Sequence, residues 1–261
     1  MKKDDRTERL TFMSELQDGA QGSPEDTSVL YENEEFQQYT EEALRPGGLE
    51  LTKKALKIAA FPVGSRLLDI GCGCGKTTEF LALECGMEAL GIDISAELIA
   101  KAKARNSTLN VQVGSVYDLP YANDAIDGVL TECVFTLFED KPLALEQIRR
   151  VLAPGGKLII SDLYIRENAQ AFSQLPMVTC INGITSQDVV CQEVAGAGFK
   201  LKEWHDETSV YKGFLAGLIM NYGSISAFWE SLLGSCDKAC TVQQNIKNVK
   251  IGYYLSVWEK E

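Results

Sequence analysis

The sequence is poor in histidine, in basic residues and in long apolar runs. Its 261 residues include one histidine, His205, and no apolar run of the roughly 18 to 20 residues that a membrane span needs. The 25 Lys and Arg residues are outnumbered by 37 Asp and Glu residues, and the resulting net charge of -12 disfavours binding to phosphate backbones. The N-terminus lacks the apolar core of a signal peptide. We therefore expect a cytoplasmic protein that binds neither nucleic acid nor membrane; its oligomeric state stays open.

The chain has eight cysteines, which a reducing cytosol would keep as thiols and not as disulfides. Paired C-x-x-C spacing, the usual sign of structural zinc, does not occur, so we predict no metal site. The hydrophobic content of 45% is enough to build a large core and excludes disorder of the whole chain.

Three regions can be distinguished along the chain. Residues 1–28 are polar and acidic and predict a flexible tail, and residues 29–60 predict an N-terminal cap of two helices separated by a turn at 45–48. Residues 61–261 alternate apolar strand-like runs with helical segments, which predicts an α/β, doubly wound, mainly parallel seven-stranded sheet with an inserted helical substrate segment. The predicted strands are 66–70, 88–92, 110–113, 126–130, 157–161, 199–205 and 251–258. A helical stretch is expected over 211–240.

The sharpest motif is LLDIGCGCGKTTEF, in which Asp69 ends a strand and Gly71, Gly73 and Gly75 alternate before a helix. Glycines at this spacing permit a tight turn and leave room for a ligand against the backbone. A nicotinamide-binding loop has a different glycine spacing, and the leading carboxylate would repel a pyrophosphate. Asp69 instead suits an ammonium group, and Asp93, which ends the second strand, can accept both hydroxyls of a ribose.

These residues resemble the class I S-adenosylmethionine-dependent methyltransferases over about residues 49–198. The resemblance implies S-adenosylmethionine as cofactor, methyl transfer as reaction and a Rossmann-like fold. It assigns cofactor binding to Asp69, Gly71, Cys72, Gly73, Gly75, Asp93, Ile94, Ser115, Val116 and Thr131. Ser115 replaces the acid that commonly contacts adenine in that family. Substrate-side segments are expected at about 163–190 and 208–245.

Within that family the stretches ECVFTLFEDKPLALEQIRRVLAPGG and SDLYIRENAQAFSQLPMVTCINGI resemble arsenite methyltransferases. The resemblance implies that Cys180 binds trivalent arsenic, in keeping with the affinity of soft thiolates for soft centres. The family's earlier cysteines are missing, and Ile219 stands where its late cysteine would be. The stretch RPGGLELTKKAL, the two stretches above and the late CDKAC together also resemble a related group of bacterial and archaeal methyltransferases whose substrates are undefined. Further substrate-side candidates are Tyr39, Cys133, Tyr164, Cys236 and Cys240.

Several alternatives remain open from the sequence. A substitute thiol set could combine Cys180 with Cys191, Cys236 and Cys240, the last two spaced i, i+4 on one helix face. A single histidine argues against an acceptor that needs a general base and favours a small, soft nucleophile such as trivalent arsenic, a selenol or a thiol. The alternatives are a protein that binds S-adenosylmethionine or a metalloid without turnover, or a methyltransferase acting on a protein or an organic metabolite.

Overall fold

The protein is represented by a computed structural model that describes residues 31–32, 37, 45–169 and 179–261. These contain a seven-stranded sheet in the order β3-β2-β1-β4-β5-β7-β6. The strands are β1 (Arg66–Ile70), β2 (Glu88–Asp93), β3 (Val111–Val113), β4 (Ile126–Glu132), β5 (Leu152–Glu167), β6 (Phe199–Asp206) and β7 (Lys250–Lys260). Only β7 pairs antiparallel to its neighbours β5 and β6, so the sheet is mainly parallel, as predicted.

The helices are α1 (Gly48–Ala59), α2 (Lys76–Leu83), α3 (Ala96–Arg105), α4 (Lys141–Val151), α5 (Gln187–Gly196), α6 (Thr208–Tyr222), α7 (Ile225–Leu233) and α8 (Cys236–Ile246). One face of the sheet packs against α1, α2 and α6 to α8, and the other packs mainly against α4 and α5. None of the helices in this described portion is both long and apolar enough to cross a bilayer. The predicted doubly wound α/β fold is confirmed.

Two details differ from the sequence prediction. The helical stretch expected over 211–240 is divided into three helices, because Ser224 and Ser235 each cap a new helix through a side-chain oxygen that accepts a backbone N–H. The preceding Gly223 and Gly234 have positive φ angles of 82° and 60°, which favour glycine. In addition, β5 begins at Leu152, before the predicted strand at 157–161, so Pro154, Gly155 and Gly156 lie inside it, where the pairing with β4 shifts register.

The order of the strands determines where a ligand can bind. β1 is followed on one side by β2 and on the other by β4, so the direction of chain connection reverses between β1 and β4. In sheets of this kind a crevice opens outside the carboxyl ends of the strands at such a reversal. Asp69, Asp93 and Glu132 lie at those ends of β1, β2 and β4.

Candidate functional site

A cavity of about 660 Å³ lies at the carboxyl ends of β1, β2 and β4. Most of the predicted cofactor residues line it: Asp69, Gly71, Cys72, Gly73, Asp93, Ile94, Ser115 and Val116. Gly75 lies just behind the wall as the residue before α2, with a φ angle of 74°. Thr131 is fully buried and donates to the carbonyl of Ile159 at 3.4 Å, so it supports the strand without facing the cavity.

A close approach at Gly71 and hydrogen bonds to Asp93 fix the glycine loop. Gly71 has a φ angle of 73°, and a Cβ there would lie 2.3 Å from a methyl carbon of Val134. The N–H of Gly73 donates to Asp93 Oδ2 at 2.8 Å, and the N–H of Ser95 donates to Asp93 Oδ1 at 2.9 Å. The carboxylate of Asp93 therefore joins the two loops and still has acceptor positions for ribose hydroxyls. Burial raises the pKa of Asp93.

Asp69 is buried beneath the loop, where its Oδ2 accepts a hydrogen bond from Thr78 Oγ1 at 3.0 Å. Burial, followed by the negative charge of Glu132, raises the pKa of Asp69 from 3.8 to about 7. A bound ammonium group would offset both effects, because it supplies the positive charge that a buried carboxylate needs. This electrostatic demand fits the amino-acid end of S-adenosylmethionine.

A buried ion pair between Arg45 and Glu132 forms the floor of the same end of the cavity. Arg45 Nη2 lies 2.6 Å from Glu132 Oε2, and the two side chains are 5% and 4% exposed. Arg45 Nη2 also donates to the hydroxyls of Thr52 and Thr77 at 2.6 and 3.1 Å. Both hydroxyls in turn donate to Glu132, at 2.9 and 3.1 Å. The network connects the segment before α1 to the start of α2 and the end of β4.

Arg45 is a site residue that sequence reasoning did not find, since there it belongs only to a predicted turn. It lines the cavity with Lys76 and Thr77, close to the start of α2. Guanidinium and helix N-termini both attract carboxylates, so this group can hold the carboxylate of a bound amino acid. Glu32, which accepts a hydrogen bond from Ser95 Oγ at 2.7 Å near the ribose end, was also missed.

The structure brings Cys180 together with Cys133. Cys133 lies on the cavity wall, and Cys180 packs against the same core cluster. A hydrogen-bonding interaction with Cys180, followed by burial, raises the pKa of Cys133 well above its usual value. Tyr31 and Tyr211 are close to both thiols, and burial is the main cause that raises the pKa of each hydroxyl. The two thiols thus share an apolar, tyrosine-rich compartment beside the cavity.

Cys133 also has an unusual backbone. Its φ angle is +60°, in the left-handed region that few residues other than glycine adopt, and its N–H donates to Ser161 O at 2.7 Å. Such a conformation is kept only where the surrounding structure enforces it, and it is frequent at functional sites. The backbone conformation of Cys133 and its contact with Cys180 both indicate that Cys133 belongs to the functional site.

Three of the other substrate-side candidates, Tyr164, Cys236 and Cys240, do not reach this compartment. Tyr164 is buried on the opposite face of the sheet, where its ring packs edge-on against Trp204 and Tyr254, so its predicted contact with substrate is not supported. Cys236 and Cys240 are exposed on α8 and, like Cys191, are absent from the described cavity lining. The substitute thiol set is therefore not assembled. Tyr39 lies outside the described residues.

Gly183, three residues after Cys180, fixes the position of the thiol-bearing turn. A Cβ on Gly183 would lie 1.8 Å from the backbone oxygen of Thr136, a residue that Asp162 holds through two hydrogen bonds. We expect Gly183→Ala to lower the free energy of unfolding by about 1–3 kcal/mol, because neither backbone can yield without breaking these bonds. Urea denaturation measures the change. Gly196→Ala is the control, since nothing lies within 4 Å of its added Cβ; equal stability of the two variants would contradict the prediction.

Comparison with known proteins finds a family match within the part of the chain that carries the candidate cofactor site. Residues 68–160 match the family described as "Methyltransferase domain". An O-methyltransferase of Aspergillus sclerotiorum is 28% identical over 176 residues, which are 64% of this chain and 67% of the relative. An arsenite methyltransferase of Halobacterium salinarum is 30% identical over 155 residues, 56% of this chain and 40% of the relative. The chain thus spans well under the full length of these curated relatives.

The fold agrees with this result. A Haemonchus contortus phosphoethanolamine N-methyltransferase 2, solved with S-adenosyl-L-methionine, superposes with a TM-score of 0.68 at 19% identity, covering 90% of this chain and 57% of the other. The sequence matches and the fold together confirm the predicted class, an S-adenosylmethionine-dependent methyltransferase, and its cofactor. The relatives act on different acceptors, so the class leaves the acceptor open.

Proposed function

We propose that this protein transfers a methyl group from S-adenosylmethionine to a small, soft acceptor held beside Cys180 and Cys133, with trivalent arsenic as the first acceptor to test. The observation that carries the proposal is the pairing of these two thiols next to the cofactor cavity. Soft sulfur ligands select soft centres such as arsenic. The similarity to an arsenite methyltransferase adds support from a separate source.

The charges of the cavity residues fit the cofactor. Asp69, Asp93 and Glu132 surround its inner part, against Arg45 and Lys76. When bound, S-adenosylmethionine supplies an electrophilic methyl carbon attached to a positively charged sulfur. The excess of carboxylates favours this cation over the uncharged thioether that remains after transfer. Product release would then be aided by the same charges that hold the substrate form.

The surroundings of the thiols match an acceptor that needs no general base. The chain's one histidine, His205, lies on β6 beside Glu203 and is absent from the described cavity lining. Methyl transfer is an in-line displacement, for which alignment and exclusion of water are the main requirements. A lone pair on trivalent arsenic is nucleophilic without help from a base, and a selenol or thiol needs less help than an alcohol because it ionises more readily. Tyr31, Tyr211 and the buried Tyr253 keep the compartment dry.

Two thiols satisfy only part of the coordination of arsenite. Exchange of two hydroxyls of As(OH)3 for the thiols of Cys133 and Cys180 would form two As–S bonds and release two waters, leaving one hydroxyl on arsenic. The raised pKa of the Cys133 thiol does not oppose this reaction, because each thiol proton leaves as part of water. This pair of thiols would do without the earlier and late cysteines of the arsenite methyltransferases, which this chain lacks.

The test is product detection by mass spectrometry after incubation with labelled S-adenosylmethionine and trivalent arsenic. We expect methylated arsenic from the unmodified chain and a loss of at least about 10- to 100-fold in Cys180→Ser and in Cys133→Ser, because this is already the usual cost of removing a group that only orients a ligand. Cys191→Ser, on the opposite face of the sheet, should behave like the unmodified chain. Calorimetry should show unchanged cofactor binding in Cys180→Ser and Cys191→Ser, neither of which is in the described cavity lining.

The possible failures have different meanings. If the chain binds the cofactor but yields no methylated arsenic, the arsenic proposal is wrong, and selenols, thiols and organic acceptors are tested next with the same variants. Cofactor binding with no methylated product from any of these would favour a binding protein without turnover. Equal activity of Cys180→Ser and the unmodified chain would remove the thiols from the mechanism.

A further inference from the structure

A second pair of thiols lies on α8, away from the cavity. Cys236 and Cys240 are both exposed, whereas none of the other six cysteines is. Free cysteine is among the residue types most often buried, so two exposed thiols in one helix are unusual. They are one turn apart, on the same face of α8, which begins at Cys236 after the capping residue Ser235.

The spacing decides what the pair can do. Residues i and i+4 of a helix have Cβ atoms about 5–6 Å apart, whereas a disulfide needs about 3.5–4.5 Å. A direct disulfide would therefore require α8 to distort. A single bridging atom with bonds of about 2.3 Å to each sulfur spans the gap without distortion. The helix thus favours a bridged pair of thiols over an oxidised pair.

The surroundings decide which bridging atom fits. In the part of the chain that the structure describes, no three Cys, His, Asp or Glu side chains come together as a metal-binding group. A tetrahedral ion such as Zn²⁺ would find two protein ligands here where it needs four. A monosubstituted trivalent arsenical needs two sulfurs only, because it carries its third substituent with it and a lone pair fills the fourth position.

We propose that Cys236 and Cys240 form a surface site that binds a monosubstituted trivalent arsenical, R–As(III). For an oxide, R–As=O reacts with the two thiols to give R–As(S-Cys)2 and one water, with no change in oxidation state. The charge of Glu230, followed by interaction with Cys240, raises the pKa of Cys236. The condensation is compatible with protonated thiols, since their protons leave in the water. The binding does not depend on the methyl transfer proposed above.

The experiment uses the full chain carrying Cys133→Ser and Cys180→Ser, so that the cavity thiols cannot contribute. Phenylarsine oxide is the probe, and native mass spectrometry with a monothiol competitor measures the adduct. We expect one adduct per chain that survives the monothiol and is removed by a dithiol. Adding Cys236→Ser or Cys240→Ser should weaken the adduct by at least about 100-fold, because one As–S bond and the chelate are lost.

A relocated thiol separates geometry from thiol number. Lys238→Cys with Cys240→Ser keeps two thiols on α8 but sets them two residues apart, on different faces of the helix. This variant should lose the stable adduct while its circular dichroism stays unchanged. The proposal is wrong if the relocated pair binds as tightly as the original, if single-thiol variants keep the adduct, or if mild oxidation readily joins Cys236 to Cys240.

Discussion

Replacing Arg45 with methionine is expected to lower the free energy of unfolding by about 3–5 kcal/mol, because it leaves the carboxylate of Glu132 buried and uncompensated. Arg45 is the cation that neutralises Glu132 at 2.6 Å, and its Nη2 also binds two threonine hydroxyls. Urea denaturation measures the loss. Arg166→Met is the matched control, since Arg166 pairs with Asp206 at the surface, where such a pair contributes about 0–1 kcal/mol.

A double variant separates the fold from the cofactor site. Arg45→Met with Glu132→Leu removes both charges, and exchange of a buried pair for apolar residues is often neutral in stability. We expect the double variant to regain most of the stability lost in Arg45→Met. It should still bind S-adenosylmethionine poorly by calorimetry, since the guanidinium and the carboxylate are both absent. A loss in Arg45→Met no larger than in Arg166→Met would show that the pair contributes little.

The sheet and the glycine loop were predictable because their signals are local. Each core strand is a short apolar run, and in β1 the run ends directly at Asp69, Ile70 and the glycines. Alternation of such runs with helices leaves few arrangements other than a doubly wound sheet. The position of Asp93 at the end of β2 follows from the same reasoning, because parallel strands end at one edge of the sheet.

The two central contacts of the site could not be predicted in this way. Arg45 contacts Glu132, and Cys180 contacts Cys133, although the two residues of each pair are far apart in the sequence. They meet only in the folded protein. A turn motif gives no sign that its arginine will be buried, and the unusual φ angle of Cys133 has no signature in the sequence. Tyr164 was predicted to contact the substrate but does not lie near the thiols. Strand alternation turns its side chain to the opposite face of the sheet, into a cluster of aromatic rings.

The affinity for S-adenosylmethionine is expected to rise with pH until about pH 7 and then to level off, with Asp69 as the titrating group. Its pKa of about 7 in the free protein is due to burial and then to the charge of Glu132, with a smaller contribution from Asp93, while Arg45 and Thr78 oppose the shift. The cofactor's ammonium group stabilises the ionised form and lowers this pKa. Below pH 7, binding must therefore release a proton.

The size of the effect follows from the fraction of Asp69 that is ionised before binding. At pH 6 this fraction is about one tenth, so Kd should be about tenfold higher than at pH 8. Calorimetry in buffers of different ionisation enthalpy measures both the affinity and the proton released. The demethylated product has the same ammonium group and should show the same pH dependence, which distinguishes Asp69 from a group that senses the sulfonium. Asp69→Asn should bind weakly and independently of pH; a retained pH dependence would assign the proton to another group.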